Sequence, residues 1–173
     1  IDAFRKVKDT KTPVVVHINT LKGKGYAPAE QNKENWHWNM PFDLKTGKSL
    51  MEMGPDYSSA TAEYLQKKMK EDASVVAITA GTPTVMGFTE DLRKAAGGQF
   101  VDVGIAEETA TALASGIAAN GGKPLFGVYS SFIQRTFDQI SQDVCINDNA
   151  VTFAVFAGSV YGMNDVTHLG LQD

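Results

Sequence analysis

The sequence predicts an α/β fold, a parallel sheet with helices on both faces. Short unbroken apolar runs at 75–79, 100–105, 124–129 and 151–155 suit strands buried on both faces. Helical patterns lie between them, at about 58–71, 88–96, 108–119 and 132–146. The connections are short, as in repeated strand–helix–strand units.

Taken in order, residues 1–22 read as the end of a helix (Ala3, Phe4, Val7) followed by a strand over 13–20. The run Val14-Val-Val-His-Ile18 is β-branched and apolar, and His17 is expected to be a core or edge residue of that strand. Residues 23–57 show almost no periodicity but many turn residues, among them Gly23, Gly25, Pro28, Pro41, Gly47, Gly54 and Pro55. They read as a long linker. Residues 58–173 form one α/β domain. Ser58 or Ser59 is the expected cap of its first helix, with Glu63 near the capping-box position and Ala62, Leu65 and Met69 facing inward.

In a parallel sheet, ligands bind beyond the carboxyl ends of the strands. Gly81, Glu107, Ser130 and Gly158 are expected at that edge. The most informative stretch there is 101–124. Its apolar run ends in Glu107 and Glu108, a small-residue helix follows, and Asn120-Gly-Gly122 closes it. A carboxylate at a strand-to-helix junction can be buried and aimed as a catalytic acid. Spacing alone favours the plainer reading, two acids placed at a helix N-terminus where the dipole favours them.

Composition narrows the function classes. The chain has 173 residues, 43% of them hydrophobic and 21% charged, with a net charge of −4. That charge gives no reason to expect nucleic acid or an anionic membrane as partner. No apolar stretch is long enough to span a bilayer. The single cysteine, Cys145, permits no intrachain disulfide and fits a cytoplasmic location. Its spacing from Ile140 and Val144 reads as a buried small hydrophobe. The three histidines have no paired spacing, so no metal site is expected within the chain. The dinucleotide glycine fingerprint and the phosphate-loop lysine motif are absent. The first residues have no signal-peptide layout and no initiator Met, and the expectation is of a piece of something longer.

Four motifs in order resemble one family. Asp102-Val-Gly-Ile-Ala-Glu107 with its Ala-rich helix is similar to the pyrimidine-binding domain of the 1-deoxy-D-xylulose-5-phosphate synthase and transketolase family of thiamine-diphosphate enzymes. The segment from His17 through Leu21-Lys-Gly-Lys-Gly-Tyr-Ala-Pro-Ala-Glu30 resembles that family's end of the diphosphate-binding domain and its linker. Val128-Tyr-Ser-Ser-Phe-Ile-Gln-Arg-Thr-Phe-Asp-Gln139 resembles a site segment, and Thr167-His168 falls on a Thr-His-Gln-Gly motif.

The resemblance implies roles. Glu107 would hydrogen-bond N1′ of the cofactor's aminopyrimidine and favour the imino form, whose nitrogen takes the thiazolium C2 proton. Phe132 would stack on the pyrimidine, and Ile105 would join them as a cofactor contact. Tyr129 and Arg135 fall near the substrate phosphate, where a guanidinium suits an anion. Phe132 also reads as plain core, and Arg135 as a solvated helix charge. His168 would face the reacting centre, and the linker residue His37 would reach it; either is also readable as structural. The resemblance also implies Mg²⁺, held by ligands of an upstream domain outside this chain. Its substrates would be a sugar phosphate with a 2-oxo acid or ketose, and the whole protein would be a homodimer. The chain alone is expected to be inactive.

Departures accompany the resemblance. Phe156-Ala157 stand where the family has Asp-Arg, Asn164 where it has Asp, Leu169 where it has Gln, and Glu108-Thr109 where it has Gln-His. They point to a different sugar substrate. Two other readings stay open, a β-type subunit of a 2-oxo acid dehydrogenase and a non-catalytic α/β scaffold. The linker argues against the first.

Overall fold

The computed structural model describes residues 1–51, 54–158 and 168. Its contacts divide the chain into two units, Ile1–Met53 and Gly54–Asp173.

The first unit contains two short helices, α1 (Asp2–Val7) and α2 (Ala27–Gln31). The strand expected over 13–20 is not formed: these residues lie in no ladder, and Val15 is 94% exposed. A β-branched run favours extended backbone, but a strand exists only where a neighbour takes its hydrogen bonds. His17 is accordingly exposed, neither a core nor an edge residue. The linker stretch is anchored by aromatic rings. Trp36 meets Tyr26 at 4.9 Å and Phe42 at 4.8 Å, both edge-on. Asp43 builds the adjoining turn, accepting from Thr46 N and Oγ1 at 2.8 Å each and from Lys45 N at 3.1 Å.

The second unit opens with α3 (Tyr57–Glu71). Its cap is Asp56, whose carboxylate accepts from Ser59 N at 2.7 Å; the expected caps Ser58 and Ser59 lie inside the helix. Strand β1 (Val75–Thr79) follows, then a 3₁₀ turn Pro83–Met86 and α4 (Glu90–Ala96), capped by Thr89. Strand β2 is only Phe100–Asp102, shorter than expected because Gly104 turns the chain at φ +73°. Helix α5 (Glu107–Ala119) leads to β3 (Lys123–Tyr129).

The helix expected over 132–146 is instead a broken run. It comprises α6 (Ser130–Ile133), a 3₁₀ turn Gln134–Thr136, α7 (Phe137–Gln139) and a π-helical turn Ile140–Cys145. The extra residue of a π turn rotates the downstream side chains by about 100°. Cys145 is thereby exposed, against the expectation of burial. Strand β4 (Thr152–Phe156) is the last strand among the described residues.

The four strands are all parallel, in the order β2-β1-β3-β4. Alternate side chains serve two cores. On one face Ala77, Phe88 and Met86 pack with Ala62, Leu65 and Met69 of α3. On the other, Ile78, Phe126 and Val128 pack with Ala110 and Ala114 of α5. Both faces are thus covered by helices, as the apolar strands require. The small residues of α5 let it approach the sheet closely.

Candidate active site at the carboxyl edge of the sheet

The site grows from the loops after β1, β2, β3 and β4. Asp102 is the first organiser. Its Oδ1 accepts from Gly81 N at 2.8 Å and Gly104 N at 2.9 Å, clasping the loops after β1 and β2 together. Both glycines have positive φ, +77° and +73°. A Cβ on Gly81 would come within 3.2 Å of Ile105 Cγ1, so the clasp needs glycine there. Ile105, next along, is 81% exposed, an apolar side chain projecting at the edge. On the far side of the sheet, Ser130 Oγ donates to the carbonyl of Ala157 at 3.1 Å.

Glu107 starts α5 and is 2% exposed. Arg135 reaches it from the 3₁₀ turn, with Nη1 2.9 Å from Glu107 Oε2, while Nη2 lies 3.2 Å from Glu108 Oε1. The guanidinium is close enough to Glu107 for charge pairing, yet its N–H bonds are not directed at Oε2. That oxygen is buried without a hydrogen-bond donor. A buried acceptor left open in this way is costly unless something else donates to it.

A second group sits beside the first. The rings of Tyr129, Phe132 and His168 form a mutual cluster, with centroids 5.5 Å apart for Tyr129–Phe132 and 5.2 Å for each contact to His168. Phe132 is half-buried against the α5-side core. Phe132 and Arg135 lie three residues apart, about one helical turn, so the aromatic cluster and the carboxylate pair adjoin.

The second unit therefore brings together Glu107, Arg135, Phe132, Tyr129 and His168, with Ile105 on the neighbouring loop. His37 lies in the first unit, exposed, with Nδ1 paired to Lys22 Nζ. Glu108, read from sequence only as a first-turn acid, is a direct partner of Arg135. No local sequence pattern signals that pairing, which joins positions 27 apart.

Two departures now have positions. Phe156 packs into the α3-side core, so an aromatic there is a packing choice. Ala157 adopts φ +57° and offers its carbonyl to Ser130. Asn164, Thr167 and Leu169 lie outside the described residues. Among those described, no three His, Cys, Asp or Glu side chains gather as a metal site would require, and no helix is long and apolar enough to cross a membrane.

Comparison with known proteins identifies the family of the domain. The family model for the pyrimidine-binding domain of transketolase matches residues 53–173. The 1-deoxy-D-xylulose-5-phosphate synthase of Clostridium beijerinckii is 42% identical over 175 residues, covering 99% of this chain and 28% of its own length. That of Natranaerobius thermophilus is 40% identical, covering 100% of this chain and 28% of its own. A split-gene transketolase, solved as an inactive β4 tetramer, is similar in structure. Its TM-score is 0.52 at 25% identity, over 61% of this chain and 36% of that one. The chain spans about 28% of the length of these curated relatives.

Proposed function

Because the chain belongs to the transketolase pyrimidine-binding family, we propose that it is the central part of a thiamine-diphosphate-dependent transferase. The reaction joins a two-carbon unit to an aldose phosphate, with release of CO2 when pyruvate is the donor or of an aldose two carbons shorter when a ketose is. The two synthase relatives favour pyruvate as the donor.

The observation that carries this reading is buried Glu107, whose Oε2 faces Arg135 Nη1 at 2.9 Å yet accepts no hydrogen bond. A heteroaromatic N–H is the donor it lacks, and the half-buried ring of Phe132 offers a face for such a ring to stack on. The residues present therefore fit a pyrimidine. When bound, thiamine diphosphate supplies the carbon nucleophile that accepts and passes on the two-carbon unit. Glu107 would hold the ring and share a proton with its N1′. Its burial excludes water and strengthens that hydrogen bond. His168, against Phe132 and Tyr129, moves protons on the oxygen atoms of the substrate. Arg135, with an exposed face, receives the phosphate. Ile105, exposed on the neighbouring loop, would add an apolar contact to the pyrimidine ring.

Magnesium and the diphosphate belong to ligands of an upstream domain in this reading. The protein is a cytoplasmic homodimer, and these 173 residues alone are inactive. The inactive state of the similar split-gene transketolase parallels that inactivity. No observation favours a 2-oxo acid dehydrogenase subunit or a scaffold. The different-sugar expectation is weakened by Phe156, which serves the core.

The test uses the full-length protein with pyruvate and glyceraldehyde 3-phosphate. Formation of the five-carbon deoxysugar phosphate, with kcat reduced about 10²- to 10⁴-fold in Glu107→Gln, is expected. Full activity in that variant, or no two-carbon transfer from either donor class, would overturn the proposal.

A further inference from the structure

Arg135 does not stand free to meet an anion. Among the described residues its charged contacts are Glu107 at 2.9 Å and Glu108 at 3.2 Å, one through each terminal nitrogen. The three side chains together carry a net charge of −1. Glu107 is buried, whereas the Glu108 side chain is 39% exposed and that of Arg135 49%. An approaching phosphate therefore meets the guanidinium on the side shared with Glu108.

We propose that Glu108 is a specificity-determining residue, whose carboxylate competes with the phosphate of the substrate for Arg135. The proposal rests on the reading of Arg135 as the anion contact. The geometry has two consequences. The negative charge of Glu108, whose Oε1 lies 3.2 Å from Nη2, weakens binding of any dianion at Arg135 through direct repulsion and by partly neutralising the guanidinium. Its oxygen also fixes the guanidinium fork at the mouth of the site. Glutamine in its place keeps an acceptor for Nη2 and removes the charge, so the two effects separate.

The experiment is calorimetric titration of the full-length, cofactor-loaded protein with inorganic phosphate at low salt. It compares the parent, Glu108→Gln, Arg135→Met and the double variant. Glu108→Gln is expected to bind phosphate roughly five- to tenfold more tightly. The gain should shrink as salt is raised through the physiological range. It should vanish in the Arg135→Met background. Glu108→Asp, which withdraws the carboxylate by one methylene, should fall between the parent and Glu108→Gln, and it serves if Glu108→Gln does not fold. Equal phosphate affinity in parent and Glu108→Gln, with Arg135→Met weaker, overturns the role of Glu108 and leaves the anion reading of Arg135 intact. Phosphate affinity unchanged by Arg135→Met overturns both.

Discussion

Replacing Arg135 by Met removes the cation 2.9 Å from a carboxylate that is 2% exposed. The variant keeps the stem and loses the charge. Breaking a fully buried ion pair typically costs about 3–5 kcal/mol, because the remaining ion is stranded. Here the guanidinium is half exposed and its N–H bonds miss Oε2, so water already screens part of the attraction. The discounted cost is about 2 kcal/mol. For a unit of this size that lowers the midpoint of thermal unfolding by about 6–10 °C. Glu107→Gln, which removes the buried charge instead, should cost less than about 1 kcal/mol. In the double variant the Arg135→Met penalty should largely disappear, leaving a coupling of about 1–2 kcal/mol. Scanning calorimetry of the four proteins, following the transition of this unit, measures the cycle. Additive effects, or an Arg135→Met variant as stable as the parent, would refute the claim that the guanidinium supports the buried carboxylate.

Other positions in the fold have expected outcomes of their own. Gly87→Ala should lose about 2–4 kcal/mol by urea denaturation, since φ is +73° and a Cβ would come within 2.8 Å of the Ser58 carbonyl carbon. Asp56→Ala, removing the cap on Ser59 N, should cost about 1 kcal/mol in the same assay. Lys123 Nζ at 2.7 Å, with Ser74 Oγ and N, holds the Asp72 carboxyl well below the usual carboxylate range. A carboxyl depressed in the folded state adds stability above its unfolded value of about 4 and loses that contribution as pH falls further. Melting temperatures should therefore fall more steeply below pH 4 in the parent than in Asp72→Asn, with the two converging in acid.

The sheet was legible because its central strands β1 and β3 are buried on both faces, and all four strands carry apolar runs bounded by turn residues. Helix α5 was legible from its alanine spacing. The broken run after β3 was not, since Phe132, Ile133, Ile140 and Val144 keep a helical rhythm that 3₁₀ and π turns hardly disturb in composition. Cys145 was misread for the same reason, as one added residue turned it outward. The strand at 13–20 failed differently: intrinsic preference was present, but the hydrogen-bonding neighbour was not. Within the site, the position of Glu107 at a strand-to-helix junction was readable from the run that precedes it. The pairing of Glu108 with Arg135 was not, because it joins positions 27 apart through a turn whose geometry no local pattern specifies.

The clasp made by Asp102 has a bearing on how such sites are rebuilt. One carboxylate oxygen binds the amides of Gly81 and Gly104, 23 positions apart in the chain. A loop transplanted from a relative into either position would arrive without its counterpart. The portable module at this edge is therefore discontinuous. It consists of the turn at Gly81 together with the segment from Asp102 to Glu107, and chimaeras cut between them should fold yet misalign the acid at its end.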